Sequence, residues 1–171
     1  MGVILEPVKG QRESRMKGDD RIIEVLNEVL TAELTAINQY FIHAEMCEHW
    51  GYESLYHEIR GRAVAEMKHA EEVIGRILYL EGIPNMSRYF EVRVGRDVPD
   101  MLTKDLAWER DAIARFNRGI ALATSAGDNG SRHLMEDALG QEEGHAISIE
   151  AHLTQIEQMG LENYLANQVR K

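Results

Sequence analysis

Four glutamates and two histidines recur at matched intervals in this 171-residue chain. Each half carries one lone glutamate and one Glu-x-x-His pair, and the six residues are Glu33, Glu66, His69, Glu109, Glu142 and His145. Each lone glutamate precedes its pair by 33 residues, and the second set follows the first by 76. On a helix, i, i+3 spacing puts both members of a pair on one face, and mixed oxygen and nitrogen ligands suit iron or manganese. The pattern predicts a site for two metal ions.

These residues lie within apolar stripes that have helical spacing. Around Glu33 the stripe consists of Leu26, Leu30, Ile37, Tyr40 and Ala44, and 76 residues later it recurs as Leu102, Leu106, Ile113, Phe116 and Ile120. Buried carboxylates are costly without a compensating charge, which two divalent ions would supply. Glutamates away from the stripes are predicted to be solvated or to line an acidic inner surface: Glu71, Glu72, Glu136 and Glu143.

The helical periodicity and the turn signals predict an all-α fold. Four long helices are expected near 20–48, 52–81, 98–127 and 131–159, with a short fifth helix near 162–169. Residues 83–98 are long enough to run the length of such a bundle. We therefore expect an antiparallel four-helix bundle with one long crossover. Residues 1–15 are predicted to be a flexible N-terminal extension, and residues 16–171 to form the bundle domain.

Composition narrows the choice of partners and compartment. The net charge of −10 argues against nucleic acid and is compatible with cations. No apolar stretch is long enough to cross a bilayer, so no membrane partner is expected. The single cysteine, Cys47, cannot form an internal disulfide, which favours the reducing cytoplasm.

Several stretches together resemble bacterioferritins, which are ferritin-like di-iron proteins. They are AINQYF at 36–41, EMKHA at 66–70, ILYLEG at 77–82, the acidic run 137–145 and MGLENYL at 159–165. The resemblance covers nearly the whole chain from Met16. It implies a ferritin-like bundle, a ferroxidase centre in each subunit, and a homo-oligomeric shell of twenty-four subunits built from dimers. The ligands of the family fall on the same six residues, and the fifth helix would pack around four-fold axes of the shell.

The resemblance also implies haem b, one per subunit dimer, with Met67 of each partner as an axial ligand. From the sequence alone, Met67 is more simply read as a core-filling side chain. A ferredoxin-type reductant would then supply electrons for iron release. Some family members carry a His and an Asp that form an extra inner iron site, and those positions here are Gly61 and Ala65. That inner site is therefore expected to be absent.

The expected function is iron storage and detoxification, in which Fe(II) is oxidised by O₂ or H₂O₂ at a centre of two iron ions. Tyr40 lies on the stripe of Glu33 and is either a one-electron donor or an ordinary core tyrosine. Two alternatives stay open. One is a di-iron peroxidase or oxygenase that does not store iron, and the other is a haem-binding electron-transfer bundle without iron oxidation.

Overall fold

The computed structural model describes residues 17–169 and contains five α-helices in this range. They are α1 Asp20–His49, α2 Glu53–Tyr79, α3 Val98–Ser125, α4 Asn129–Met159 and α5 Leu161–Gln168. The predicted all-α class is confirmed, and the helix ends differ from the predicted ones by a few residues. The predicted extension 1–15 lies outside the described residues. Across residues 17–169, no helix is both long enough and apolar enough to cross a membrane.

Three of the long helices begin with an aspartate whose side chain accepts a hydrogen bond from a backbone N–H of the first turn. Asp19 caps α1, Asp97 caps α3 and Asp128 caps α4, with N···O distances of 2.8, 2.9 and 2.9 Å. Such a cap satisfies a donor that the helix itself leaves free and is worth about 1 kcal/mol. At the other end of α4, Gly160 adopts a φ of 80°, which lets the chain turn directly into α5.

The four long helices form two hairpins, α1 with α2 and α3 with α4, which pack face to face. Gly18 N–H donates to the Leu80 carbonyl at 3.0 Å, so the end of α2 returns to the start of α1. Gly95 N–H donates to His43 Nε2 at 2.9 Å, so α3 begins near the end of α1. This ordering makes neighbouring helices antiparallel, as predicted, and α5 packs against α2 and α4.

The crossover between α2 and α3, residues 80–97, is held against α1 by a row of polar side chains that we call the α1 ladder. Backbone N–H groups of residues 85, 90, 93 and 95 donate to side chains spaced along one face of α1. The acceptors are Asn27 (2.7 Å), Thr35 (2.9 Å), Gln39 (3.0 Å) and His43 (2.9 Å). The crossover therefore runs along the bundle, as its length predicted, and follows α1 closely.

The apolar core consists of two clusters. The cluster on the α5 side contains Tyr40, Leu102 and Tyr164, and the cluster at the opposite end contains Leu26 and Phe116. Fully burying one such side chain contributes about 1.5–3 kcal/mol relative to leaving it exposed. The six predicted metal ligands belong to neither cluster and lie between them along the helices. The core is thus interrupted by a polar level in the middle of the bundle.

Two glycines inside helices are expected to respond oppositely to alanine. A Cβ at Gly119 would meet Met135 Sδ at 2.5 Å and Val25 Cγ1 at 3.1 Å, whereas one at Gly75 would meet no described atom within 4 Å. Gly119→Ala should lower the free energy of unfolding by about 1–3 kcal/mol through overpacking. Gly75→Ala should raise it by up to about 1 kcal/mol through helix propensity. Denaturant unfolding of the two variants measures this, and equal effects would contradict the packing at Gly119.

Candidate metal centre

The structure brings all six predicted residues together in the middle of the bundle. One comes from α1, two from α2, one from α3 and two from α4: Glu33, Glu66, His69, Glu109, Glu142 and His145. All are buried except His145, which is partly exposed. Their ligand atoms form two overlapping groups that could each hold a metal ion, with atoms within 4.8 Å of one another. Glu66 and Glu142 belong to both groups.

The two shared carboxylates have a mirrored arrangement. His69 Nδ1 lies 3.1 Å from Glu66 Oε2 and 3.2 Å from Glu142 Oε1. His145 Nδ1 lies 3.3 Å from Glu66 Oε1 and 3.4 Å from Glu142 Oε2. Each shared carboxylate therefore presents one oxygen to each imidazole. This is the arrangement that two bridging carboxylates need between two ions.

The two remaining glutamates complete the two groups from opposite sides. Glu33 Oε2 lies 3.7 Å from His69 Nδ1, and Glu109 Oε1 lies 3.5 Å from His145 Nδ1. Each imidazole thus faces three carboxylates. Two of them, Glu66 and Glu142, face both imidazoles, and the third faces that imidazole alone.

The unsatisfied atoms of this cluster fit a pair of cations. Five buried atoms of these six residues have no hydrogen-bond partner within the described part of the chain: Glu66 Oε1, His69 Nε2, Glu109 Oε2, Glu142 Oε1 and His145 Nδ1. Leaving such an atom unpaired costs about 1–3 kcal/mol. His145 Nδ1 is within 3.5 Å of three carboxylates and bonds none of them, so this nitrogen and the unpaired carboxylate oxygens converge on a common space. A convergent set of carboxylates and imidazoles is the donor chemistry of an iron or manganese site.

Tyr40 reaches this cluster from α1. Its hydroxyl donates a short hydrogen bond to Glu109 Oε1, and its side chain is fully buried. Burial, followed by the charges of Glu109 and Asp105, raises the pKa of Tyr40 well above its ordinary value. The phenol therefore keeps its proton and orients the Glu109 carboxylate.

Comparison with known proteins agrees with this geometry. Residues 23–159 match the family model described as a ferritin-like domain. The chain is 44% identical over 156 residues to a bacterioferritin of Streptomyces coelicolor, covering 91% of this chain and 93% of that protein. It is 39% identical over 156 residues to a bacterioferritin of Mycobacterium tuberculosis, covering 91% and 98%. The chain belongs to the bacterioferritin family. A bacterial ferritin of Pseudomonas aeruginosa is 43% identical over 155 residues, covering 90% and 100%.

Met67 and the residues before it occupy the outside of α2 in this bacterioferritin-family chain. The Met67 side chain is 56% exposed, and Val64, one turn earlier, is exposed as well. Met67 is therefore not the core-filling residue that its position inside a helix suggests. Gly61 is exposed and Ala65 is partly exposed, and neither offers a ligand atom for an additional iron site.

Burial and close charges perturb the protonation of the metal-free cluster. Burial raises the pKa of Glu109 to about 8 and that of Glu33 well above its ordinary range. Burial alone would lower the pKa of His145, but contacts with the surrounding carboxylates outweigh it and raise the pKa to about 11. The pKa of His69 is raised for the same reason. Glu142 is the opposite case, because contacts with His145 and His69 overcome burial and lower its pKa. Protons therefore hold the place of cations in this cluster.

Two further polar groups close to the centre were not predicted as functional. Gln39, His43 and Asp105 form one, and Glu58, Arg62, Ser148 and His152 form the other. One sequence signal was available for the first group. Asn27, Thr31, Thr35, Gln39 and His43 follow one another at constant four-residue steps, which marks a continuous polar face on a helix. Arg62 is buried one turn before Glu66 on α2, but no partner for it can be read from the sequence.

Metal binding should release protons, because both imidazoles must be neutral and the carboxylates ionised to act as ligands. We expect Co(II) binding to release about one proton or more per ion at pH 7, and its affinity to rise from pH 6 to pH 8, where Glu109 loses its proton. Titration calorimetry in buffers with different ionisation enthalpies measures the number of protons. Binding heats that are the same in every buffer would contradict this assignment.

Proposed function

We propose that this chain stores and detoxifies iron by oxidising Fe(II) to Fe(III) at the six-residue cluster, as a ferroxidase. The proposal also includes a hollow homo-oligomer of twenty-four subunits, built from dimers, that holds the ferric product. The observation that carries the catalytic part is the mirrored pair Glu66 and Glu142, each with one oxygen toward His69 and one toward His145. Family membership and the buried carboxylate–imidazole cluster support an iron-handling protein.

Each residue of the cluster has a distinct task in this proposal. Glu33 and His69 hold one Fe(II) ion, Glu109 and His145 hold the other, and Glu66 and Glu142 bind both. Each iron gives one electron to the oxidant, so two irons reduce O₂ to H₂O₂ when two protons are supplied. If H₂O₂ is the oxidant, the same two electrons and two protons give water. Tyr40 keeps Glu109 oriented through its hydrogen bond.

The exposure of individual side chains indicates where Fe(II) enters the subunit and where the ferric product is stored. His145 is the ligand that reaches the surface, so Fe(II) enters beside it on α4. The off-stripe acidic residues are exposed, as predicted, and are proposed to line the inner wall where ferric mineral grows: Glu71, Glu72, Glu136 and Glu143. We place the protein in the cytoplasm, where Fe(II) and a ferredoxin-type reductant for iron release are available.

Two rival functions share parts of this geometry. A di-iron peroxidase or oxygenase that does not store iron needs the same cluster but no shell, so it would remain a small oligomer. A haem-binding electron-transfer bundle would not oxidise iron at the cluster. Particle mass separates storage from the first rival, and iron oxidation separates it from the second.

Removing a shared carboxylate tests the ferroxidase. Two Fe(II) per subunit are added anaerobically, and O₂ or H₂O₂ is added afterwards. Ultraviolet absorbance then measures the oxidation, which should be rapid in the wild type. Glu66→Ala should slow this by at least about 100-fold, since changes one shell further out already cost 10–100-fold. Glu157→Ala, an exposed glutamate on α4, is the matched control and should behave as wild type. Equal slow oxidation in all three proteins would overturn the proposed catalysis.

We also propose that haem binds at Met67, at a two-fold contact between subunits. The fit rests on exposure, because the Met67 thioether points out of the bundle and Val64 offers an apolar neighbour. Met67 of one chain would supply one ligand to haem, so a second copy of the chain would be needed to supply the other. Haem bound there would supply a one-electron carrier for iron release.

Met67→Leu should abolish haem binding while leaving the particle mass and Fe(II) oxidation unchanged, because leucine keeps the apolar volume and removes the sulfur. Met86→Leu is the matched control, since Met86 is 51% exposed and lies on the crossover. The ratio of Soret absorbance to protein, with particle mass by light scattering, measures both properties. Haem retained in Met67→Leu, or lost equally in both variants, would contradict the assignment.

A further inference from the structure

The paired centre depends on how the two hairpins are aligned. Glu66 belongs to the α1–α2 hairpin and Glu142 to the α3–α4 hairpin, and each must reach the ion held mainly by the other hairpin. A single ion can keep three ligands from one hairpin alone, either Glu33, Glu66 and His69 or Glu109, Glu142 and His145. Holding two ions together requires both hairpins to be in register, since one turn of slippage displaces a ligand by about 5.4 Å.

A buried polar group joins the hairpins across α1 and α3, and we call it the clasp. It consists of Gln39 and His43 on α1 and Asp105 on α3, all fully buried. Gln39 Nε2 donates to Asp105 Oδ1 at 2.8 Å, and His43 Nδ1 lies 2.9 Å from the same oxygen. Gly95 N–H donates to His43 Nε2, so the ring proton lies on Nδ1 and is donated to Asp105. The carboxylate thus has two donors from the opposite hairpin.

The clasp is directly connected to the centre along both helices. Asp105 precedes Glu109 by one helical turn on α3, and Gln39 precedes Tyr40 on α1. The Tyr40 hydroxyl in turn donates to Glu109. Any shift of α3 along α1 would therefore have to break the clasp and the Tyr40–Glu109 hydrogen bond together.

A second polar group joins the hairpins on the opposite side of the bundle. Glu58 and Arg62 on α2 bond each other, and Ser148 on α4 donates to Glu58 Oε1 at 2.7 Å. His152 Nε2 lies 2.9 Å from the other Glu58 oxygen. Arg62 precedes Glu66 by one turn. Along the bundle axis, this group and the clasp therefore both lie between the centre and α5.

Neither group follows the 76-residue repeat. The repeat equivalent of Asp105 is Val29, and that of Arg62 is Ala138, both of which are buried in the apolar cluster at the other end. Apolar burial is non-directional, whereas buried hydrogen-bonded groups require particular partners and are costly to leave unpaired. The polar contacts therefore supply the alignment that the repeated apolar stripes do not.

We propose that Asp105, through Gln39 and His43, is a positioning residue that holds the two hairpins in the register required to bind two metal ions at once. This inference rests on the proposed function, because it concerns the same centre. Asp105 touches no ligand atom, and it acts through the alignment of α3 with α1.

The test is a Co(II) titration of the full chain, followed by ligand-field absorbance. Wild type should bind two Co(II) per subunit. Asp105→Asn replaces one carboxylate oxygen with an NH₂ group, and this group meets a donor in either orientation because His43 Nδ1 lies 2.9 and 3.1 Å from the two oxygens. The variant should keep the first ion but bind the second at least about tenfold more weakly, the effect typical of outer-shell changes. Asp100→Asn is the matched control, since Asp100 is on the same helix and pairs only locally with Arg96 and Lys104, and it should bind as wild type.

An exchange variant separates positioning from general destabilisation. In Gln39→Glu/Asp105→Asn, the new amide at 105 can donate to the new carboxylate at 39, and its oxygen can accept from His43. The other carboxylate oxygen at 39 can still accept the Arg93 N–H. Charge and all hydrogen bonds are thereby kept with the roles exchanged, so the second Co(II) should be restored.

The outcomes for the clasp and for the centre are distinguishable. A wild-type chain that binds fewer than two Co(II) ions overturns the proposed function. A wild type that binds two, with Asp105→Asn binding both at wild-type affinity or the exchange variant failing to recover, overturns the clasp. If Asp105→Asn does not fold, Gln39→Met keeps the His43–Asp105 contact and should still weaken the second ion. Unchanged binding in that variant overturns the inference as well.

Discussion

Four carboxylates at one level of a helical bundle are the constraint on which the rest of this structure depends. Like charges at such distances repel, and their burial penalises the charged form further. In the metal-free chain the two histidines and two of the glutamates keep protons, which reduces the negative charge of the cluster. The raised pKa values of Glu109 and His145 indicate this. The bundle is thus built around a level that is stable only with added positive charge, either from protons or from cations.

This level also determines how the core is divided. One apolar cluster lies on each side of it, and each cluster contains residues from all four long helices. Because the shared carboxylates come from different hairpins, binding of metal and association of the hairpins are thermodynamically linked. Metal binding in such a design stabilises the fold, and a well-aligned fold strengthens metal binding.

The fold and the clustering of the six residues could be predicted because both follow from periodic patterns along the chain. The stripe of Leu26, Glu33 and Tyr40 and its copy at Leu102, Glu109 and Phe116 follow the helix repeat, so local spacing alone reveals them. The clasp could not be found in this way, since Gln39 and Asp105 are 66 residues apart and meet only after the hairpins pack. The exposure of Met67 is likewise a property of the packed bundle. Arg62 is the clearest case, because it is a buried cation whose partners, Glu58 on α2 and Ser148 on α4, are known only from the packed structure.

The α1 ladder has a consequence for how freely this protein can diversify. It binds the crossover through backbone N–H groups, and the side chains of Met86, Tyr89 and Val94 are left exposed. Substitutions of those side chains therefore change the outer surface without loosening the crossover. Proline at residue 85, 90, 93 or 95 would remove a backbone N–H and with it one hydrogen bond to α1. The exposed side chains of the crossover can therefore diverge quickly during evolution, while the α1 residues that accept its hydrogen bonds must stay nearly unchanged.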